Sequence, residues 1–214
     1  MEEKFNNIKL QILQPFGPSI VKLKLPNEII VKMNDYIEKI IIDEKKLKEL
    51  DNGPSLVGAV KQEITLEKDF LKTINWHEFI NIICKTWVRG REKIEIKGIT
   101  LKKSWIVRQF KGEYNPVHDH SGQISGVGYL KIPKNLGNMP GSGKTQNKNG
   151  CIEFIHGTSN TFSHPNFIVS PEVGDFFIFP NYLLHTVYPF SDTDEERRSV
   201  SFNAIIDEIN SDVS

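Results

Sequence analysis

The chain has 214 residues, with 27 basic and 27 acidic side chains and a formal net charge of zero. That length suits one domain with a sizeable core, and the even balance lacks the basic excess of a nucleic-acid footprint. No apolar run is long enough to cross a bilayer, and Met1-Glu2-Glu3-Lys4 does not read as a secretory leader. The expectation is a cytoplasmic protein with no nucleic-acid or membrane partner, and nothing pairs Cys84 with Cys151.

Loose alternation from Lys4 to Lys24 predicts one or two strands. Pro26-Asn27 opens a helix whose stripe is Ile29, Ile30, Met33, Ile37, Ile40 and Ile41, running on through a charged end to a stop at Asp51-Asn52-Gly53-Pro54. A second helix is expected from about Glu67 to Val88, with Phe70, Leu71, Ile74, Ile80, Ile83, Cys84 and Trp87 inward. His77 on that helix reads as structural.

From Glu92 the pattern changes to short alternating segments divided by Gly, Pro and Asn. The predicted strands are 94–99, 105–110, 117–120, 125–132, 151–155, 167–169, 175–179, 186–188 and 198–206. This spacing reads as a sandwich or barrel, and the helices need one sheet face to cover. The expected fold is α+β: a jelly-roll core with N-terminal helices packed on one sheet. Residues 1–91 supply strands and supporting helices of the same domain, and residues 92–214 the core. Between Pro133 and Gly150 lies a long polar loop containing Gly141-Ser142-Gly143-Lys144-Thr145. It resembles the end of a P-loop but lacks the required earlier glycine, the feeding strand and the following helix, so it is read as a flexible loop.

Three histidines carry the chemistry. His118 and His120 are two apart, so on an extended strand both imidazoles share a face; His185 follows Phe177-Ile178-Phe179-Pro180. Neutral imidazoles in a facial set of three suit Fe(II) and leave positions open for other ligands. On the strand that follows, Arg197, Ser199, Ser201 and Asn203 share one face, while Arg198, Val200, Phe202 and Ala204 share the other. The apolar set should pack against the helices, which turns Arg197 inward. A buried arginine needs an anion, and a dicarboxylate held by Arg197 and Ser199 would supply one. Trp105 and Tyr182 are candidate pocket aromatics, though packing is the commoner role for such residues.

These stretches, with Ser125-Gly126-Val127-Gly128-Tyr129-Leu130, Gly174 to Pro180 and His185-Thr186-Val187-Tyr188-Pro189, resemble the 2-oxoglutarate- and Fe(II)-dependent oxygenases. The similarity covers roughly residues 100–207 and is strongest to an uncharacterised bacterial and phage subfamily. The resemblance implies a double-stranded β-helix (cupin-like) core, Fe(II) as metal, 2-oxoglutarate as co-substrate and O2 as oxidant. It implies His118, His120 and His185 as ligands, with Arg197 and Ser199 on the distal carboxylate. It also brings in Tyr129, Ser125 and Arg108 as co-substrate contacts. Most of the superfamily carries H-x-D where this chain has H-x-H; three neutral ligands leave the iron with one more positive charge. The reaction implied is hydroxylation of an unidentified substrate, a protein or peptide side chain such as proline or a small metabolite. The alternatives are a three-histidine cupin, such as a thiol dioxygenase, working without 2-oxoglutarate, and a non-enzymatic jelly roll.

Overall fold

A computed structural model describes residues 9–13, 17–51, 53, 58–137, 147–161 and 163–210. The loop triplet Gly143-Lys144-Thr145 lies outside them. Two antiparallel sheets form the body. The larger has seven strands in the order β1 (Leu10–Leu13), β2 (Ile20–Lys24), β10 (Asp175–Pro180), β7 (Ile124–Lys131), β12 (Arg197–Ile206), β5 (Ile99–Gln109) and β3 (Gln62–Thr65). The smaller runs β6 (Asn115–His118), β11 (Leu184–Val187), β8 (Ile152–Ile155) and β9 (Asn166–Val169). Along the chain β5 to β12 pass back and forth between the two, which is the winding of a double-stranded β-helix. A third, two-stranded ribbon pairs β4 (Glu95–Ile96) with β13 (Ile209–Asn210). Strands from both sides of residue 91 hydrogen-bond within the larger sheet.

Each face of that sheet has its own apolar layer. Between the sheets lie Ile20, Val127, Tyr129, Ile152, Phe154, Phe177, Phe179, Leu183 and Val187. The opposite face carries Val21, Ile106, Phe176, Ile178, Val200, Phe202 and Ala204 against α1 (Asn27–Ile41), α3 (Lys68–Thr73) and α4 (Trp76–Glu92). Alternation along β10 and β12 sorts residues between the layers, as a pleated strand must. On β7, Gly126 and Gly128 make room for this packing. A Cβ on Gly126 would stand 2.3 Å from a Phe202 ring carbon, and one on Gly128 would stand 2.7 Å from Phe176. Their absence lets both rings pack against Trp76, Phe176 tilted at 52° and Phe202 edge-on at 87°.

Both predicted helices are broken, for local reasons. The first ends at Ile41, and Asp43 caps a separate short helix, α2 (Glu44–Glu49), by accepting from the Lys46 amide. The second is interrupted at Asn75, whose φ of 52° is left-handed, so α3 and α4 are distinct. β3 had no predicted counterpart, and the strand expected over 94–99 is two pieces, β4 and the start of β5.

Candidate metal and co-substrate site

His118 ends β6 and His185 sits on β11, directly opposite each other in the ladder of the smaller sheet. His120 lies beyond the strand end, contrary to the expectation of a strand through it. Its position is fixed instead by Asn181, in the turn between β10 and β11. The His120 amide donates to Asn181 O at 3.1 Å, and Asn181 Nδ2 donates to His120 O at 2.8 Å. Asn181 was invisible to sequence reasoning because its role is a backbone clamp between segments sixty-one residues apart.

The ring nitrogens are sorted by their partners. His118 Nδ1 meets Pro116 O at 2.7 Å and His185 Nδ1 meets Leu183 O at 2.9 Å. A carbonyl accepts, so both Nδ1 atoms carry hydrogen and both Nε2 lone pairs face the cavity. His120 Nε2 lies 3.1 Å from His185 Nε2, and the ligand atoms of all three rings lie within 4.8 Å of one another. Two nitrogens bound at about 2.1 Å on adjacent vertices of one ion stand about 3.0 Å apart, so the set fits a metal. Burial pushes His185 down to about 3, with repulsion from His118 and His120 adding to it. Burial and His118 take His120 to about 4, against Asp119, and burial also lowers His118. All three are neutral at physiological pH, the form that ligates. Asp119 is exposed and borders the cavity rim, and it stands outside the three-histidine group.

These rings open on a cavity of about 230 Å³ between the sheets. Arg197, Ser199, Ser201 and Asn203 line it from β12, and Trp105 and Val107 from β5. Arg197 is 2% exposed. Its Nη1 donates to Gln109 Oε1 at 2.6 Å, and its guanidinium lies over the Tyr129 ring, 4.8 Å from the centroid. Gln109 is itself fixed, donating to Glu113 O at 2.5 Å and to Tyr188 O at 3.2 Å. Arg197 Nε and Nη2 and the Tyr129 hydroxyl are buried with no hydrogen-bond partner among the described residues. Orphaned buried donors on a cation are costly, and a bound carboxylate would satisfy them. Burial lowers the Arg197 guanidinium from its usual value, and it pushes Tyr129 up to about 12 against the pull of Arg197. Both stay protonated donors at neutral pH.

Two other expected contacts are placed differently. Ser125 is on the inner face, but its hydroxyl donates to Asn203 Oδ1 at 2.9 Å and it does not line the cavity. Arg108 is a correction. It pairs in register with Arg198, on the helix-facing side, where Glu196 takes its Nε at 2.8 Å and Gln62 accepts from its Nη1. It therefore does not reach the co-substrate cavity. Tyr182, His156 and His164 are exposed and away from the cavity lining, while Trp105 is on it.

A double-stranded β-helix with three convergent imidazoles beside a buried, unsatisfied arginine defines a non-haem metal oxygenase class. The family model described as "Putative 2OG-Fe(II) oxygenase" matches residues 103–203, the stretch that carries every one of these groups. This match over nearly half of the chain, together with the fold, supports the 2-oxoglutarate- and Fe(II)-dependent oxygenase superfamily. Among solved structures, it is similar to a Pseudomonas putida prolyl-4-hydroxylase (TM-score 0.54, 11% identity, covering 94% of this chain and 95% of that one). It is also similar to the viral collagen prolyl hydroxylase of Paramecium bursaria Chlorella virus-1, solved with 2-oxoglutarate (0.52, 13%, 86% and 94%). The α-ketoglutarate-dependent epimerase SnoN of nogalamycin biosynthesis matches at 0.56 with 15% identity, over 88% of this chain and 76% of that one. At such identities the likeness is one of fold. No curated protein matches. The cupin reading without 2-oxoglutarate is not favoured. No helix among the described residues is long and apolar enough to cross a membrane.

Proposed function

We propose that the cavity binds Fe(II) through Nε2 of His118, Nε2 of His185 and the His120 ring, and binds 2-oxoglutarate with its distal carboxylate on Arg197. The observation that carries this reading is the pair of orphaned Arg197 nitrogens buried in the same cavity as the three histidines. Ser199 and the Tyr129 hydroxyl are the neutral donors beside the guanidinium, and Gln109 keeps it from rotating away. Bound iron with 2-oxoglutarate supplies the oxidising power for C–H hydroxylation. The balance is 2-oxoglutarate, O2 and R–H going to succinate, CO2 and R–OH. The protein's part is to hold neutral imidazoles in place, anchor the co-substrate and shield the centre with Val107, Val127, Ile152, Phe179 and Val187. R–H is the side chain of a protein or peptide, or a small metabolite.

Anaerobic titration with Fe(II) and then 2-oxoglutarate tests this, following the visible metal-to-ligand charge-transfer band. Wild type is expected to give the band, and Arg197→Ala to need far more co-substrate for it. Fe(II) binding without a band at any 2-oxoglutarate concentration would reject the assignment.

A further inference from the structure

A second group of unsatisfied atoms lines the same cavity, and neither the metal nor the co-substrate accounts for it. β3 is the edge strand of the larger sheet and β6 the edge strand of the smaller. Where these edges approach, an isolated bridge joins Ala59 to Tyr114. Glu63 points inward from β3: it pairs with Val107, while its neighbours Gln62 and Ile64 face the helices. It is 3% exposed, and its Oε2 has no hydrogen-bond partner among the described residues. From the facing sheet, Asn115 Oδ1 is buried and unpartnered in the same way. Both side chains line the cavity together with Gly58 and the Trp105 ring. A Cβ on Gly58 would fall 2.6 Å from Asn115 Oδ1 and 3.3 Å from Glu63 Oε1, so the two acceptors converge beside a backbone with no side chain.

Asn115 Oδ1 is an acceptor, Glu63 Oε2 is one once the carboxyl is ionised, and the Trp105 ring lines the cavity with them. Such a box selects a nitrogen cation: it supplies donors to both oxygens, neutralises the carboxylate and stacks on the indole. It disfavours an anion, which rules out a second carboxylate end of the co-substrate. We infer that Glu63, Asn115 and Trp105 form the substrate subsite, and that the substrate carries an ammonium or guanidinium group. This rests on the proposed oxygenase reading for its chemistry, but not for its binding. Lys103 does not remove the need for a guest. Burial pushes the Glu63 carboxyl up to about 7 even though Lys103 opposes the shift, and Lys103 is not on the cavity wall.

The chemistry is shared by free basic amino acids and by lysine or arginine side chains in a polypeptide, and the probes separate these sources. L-lysine and L-arginine, each free and as the Nα-acetyl amide, are titrated calorimetrically into wild type, with norleucine and citrulline in the same two forms as controls whose side chains are uncharged. Titrations are run with the anaerobic Fe(II)–2-oxoglutarate complex and with metal-free protein. The expected result is binding of a cationic probe over its control, weakened about tenfold or more in Glu63→Gln, as a charged hydrogen bond requires. Preference for the free or the capped form identifies the source. Gly58→Ala, which intrudes on Asn115 Oδ1 and crowds Glu63 Oε1, is expected to weaken the same probes. Equal binding of the uncharged controls, no binding of any probe, or a folded Glu63→Gln protein that binds lysine and arginine normally would each overturn the proposal. Loss of the charge-transfer band in wild type, with Glu63-dependent binding intact, would instead reject the oxygenase reading and leave the subsite standing.

Discussion

The two faces of β12 carry adjacent buried arginines in opposite states of satisfaction. Arg198 is 1% exposed and fully engaged: Nε and Nη2 reach the two Glu196 oxygens at 2.6 and 2.8 Å, Nη2 also reaches Glu38 at 2.8 Å, and Nη1 donates to Asn34 at 3.0 Å. Arg197, one residue earlier and equally buried, has one hydrogen-bond partner and two idle nitrogens among the described residues. Burial alone would class them together. What separates them is the unmet hydrogen-bonding capacity, which in Arg197 the proposed co-substrate would complete. On the outer face Glu196 serves Arg198 and Arg108 at once. Burial opposes its ionisation, but hydrogen bonds from both arginines outweigh that and hold its carboxyl below the usual range.

Substitutions can push on this contrast. Arg198→Met should cause the largest loss of stability, about 3 kcal/mol by urea unfolding, because it strips Glu196 and Glu38 of a partner while Arg108 keeps part of the network. Co-substrate affinity in the folded fraction should be unchanged. Arg197→Met should do the reverse: unfolding free energy of the cofactor-free protein equal to or above wild type, and a Kd for 2-oxoglutarate raised about 100-fold. A destabilised Arg197→Met protein with normal 2-oxoglutarate binding would abolish the distinction. Asn181→Ala should weaken Fe(II) binding about tenfold, the effect expected of a residue that orients a ligand without touching the metal.

The smallest effects are in pH. His120 and His185 are held near 4 and 3, below their ordinary 6.5. The unfolded chain therefore takes up protons that the folded chain refuses, and these groups lower stability progressively as pH falls below 6.5. Glu63 acts in the opposite sense. Raised from 4.5 to about 7, it keeps a proton in the folded state that the unfolded state gives up, so its contribution is present below 4.5 and lost as pH rises toward 7. Glu63→Gln removes that second slope alone. Its thermal midpoint should exceed wild type at pH 8 and converge on it below pH 4.5.

Much of this was legible because it follows from strand alternation. The inward set Arg197, Ser199, Ser201, Asn203 and the outward set Val200, Phe202, Ala204 came from period two alone, and the structure places each as read. Arg108 defeated the same logic: its strand was found, but its face depended on a register with Arg198 that no local pattern encodes. β3 was missed because its inward residue is a glutamate, so Gln62-Glu63-Ile64-Thr65 shows polarity where a buried strand normally shows an apolar side chain. The helix breaks turned on Asp43 as a cap and Asn75 in a left-handed conformation, single residues acting against a periodicity that runs through them.

The clamp by Asn181 has a kinetic corollary. His120 sits on irregular chain, yet that chain is sewn to the turn leading into His185, so the two proposed ligands travel as one body. An incoming ion meets three nitrogens already assembled and does not wait for a loop to find its place. Capture is then a single bimolecular encounter, with a rate that scales linearly with metal concentration and shows no plateau from a slow ordering step.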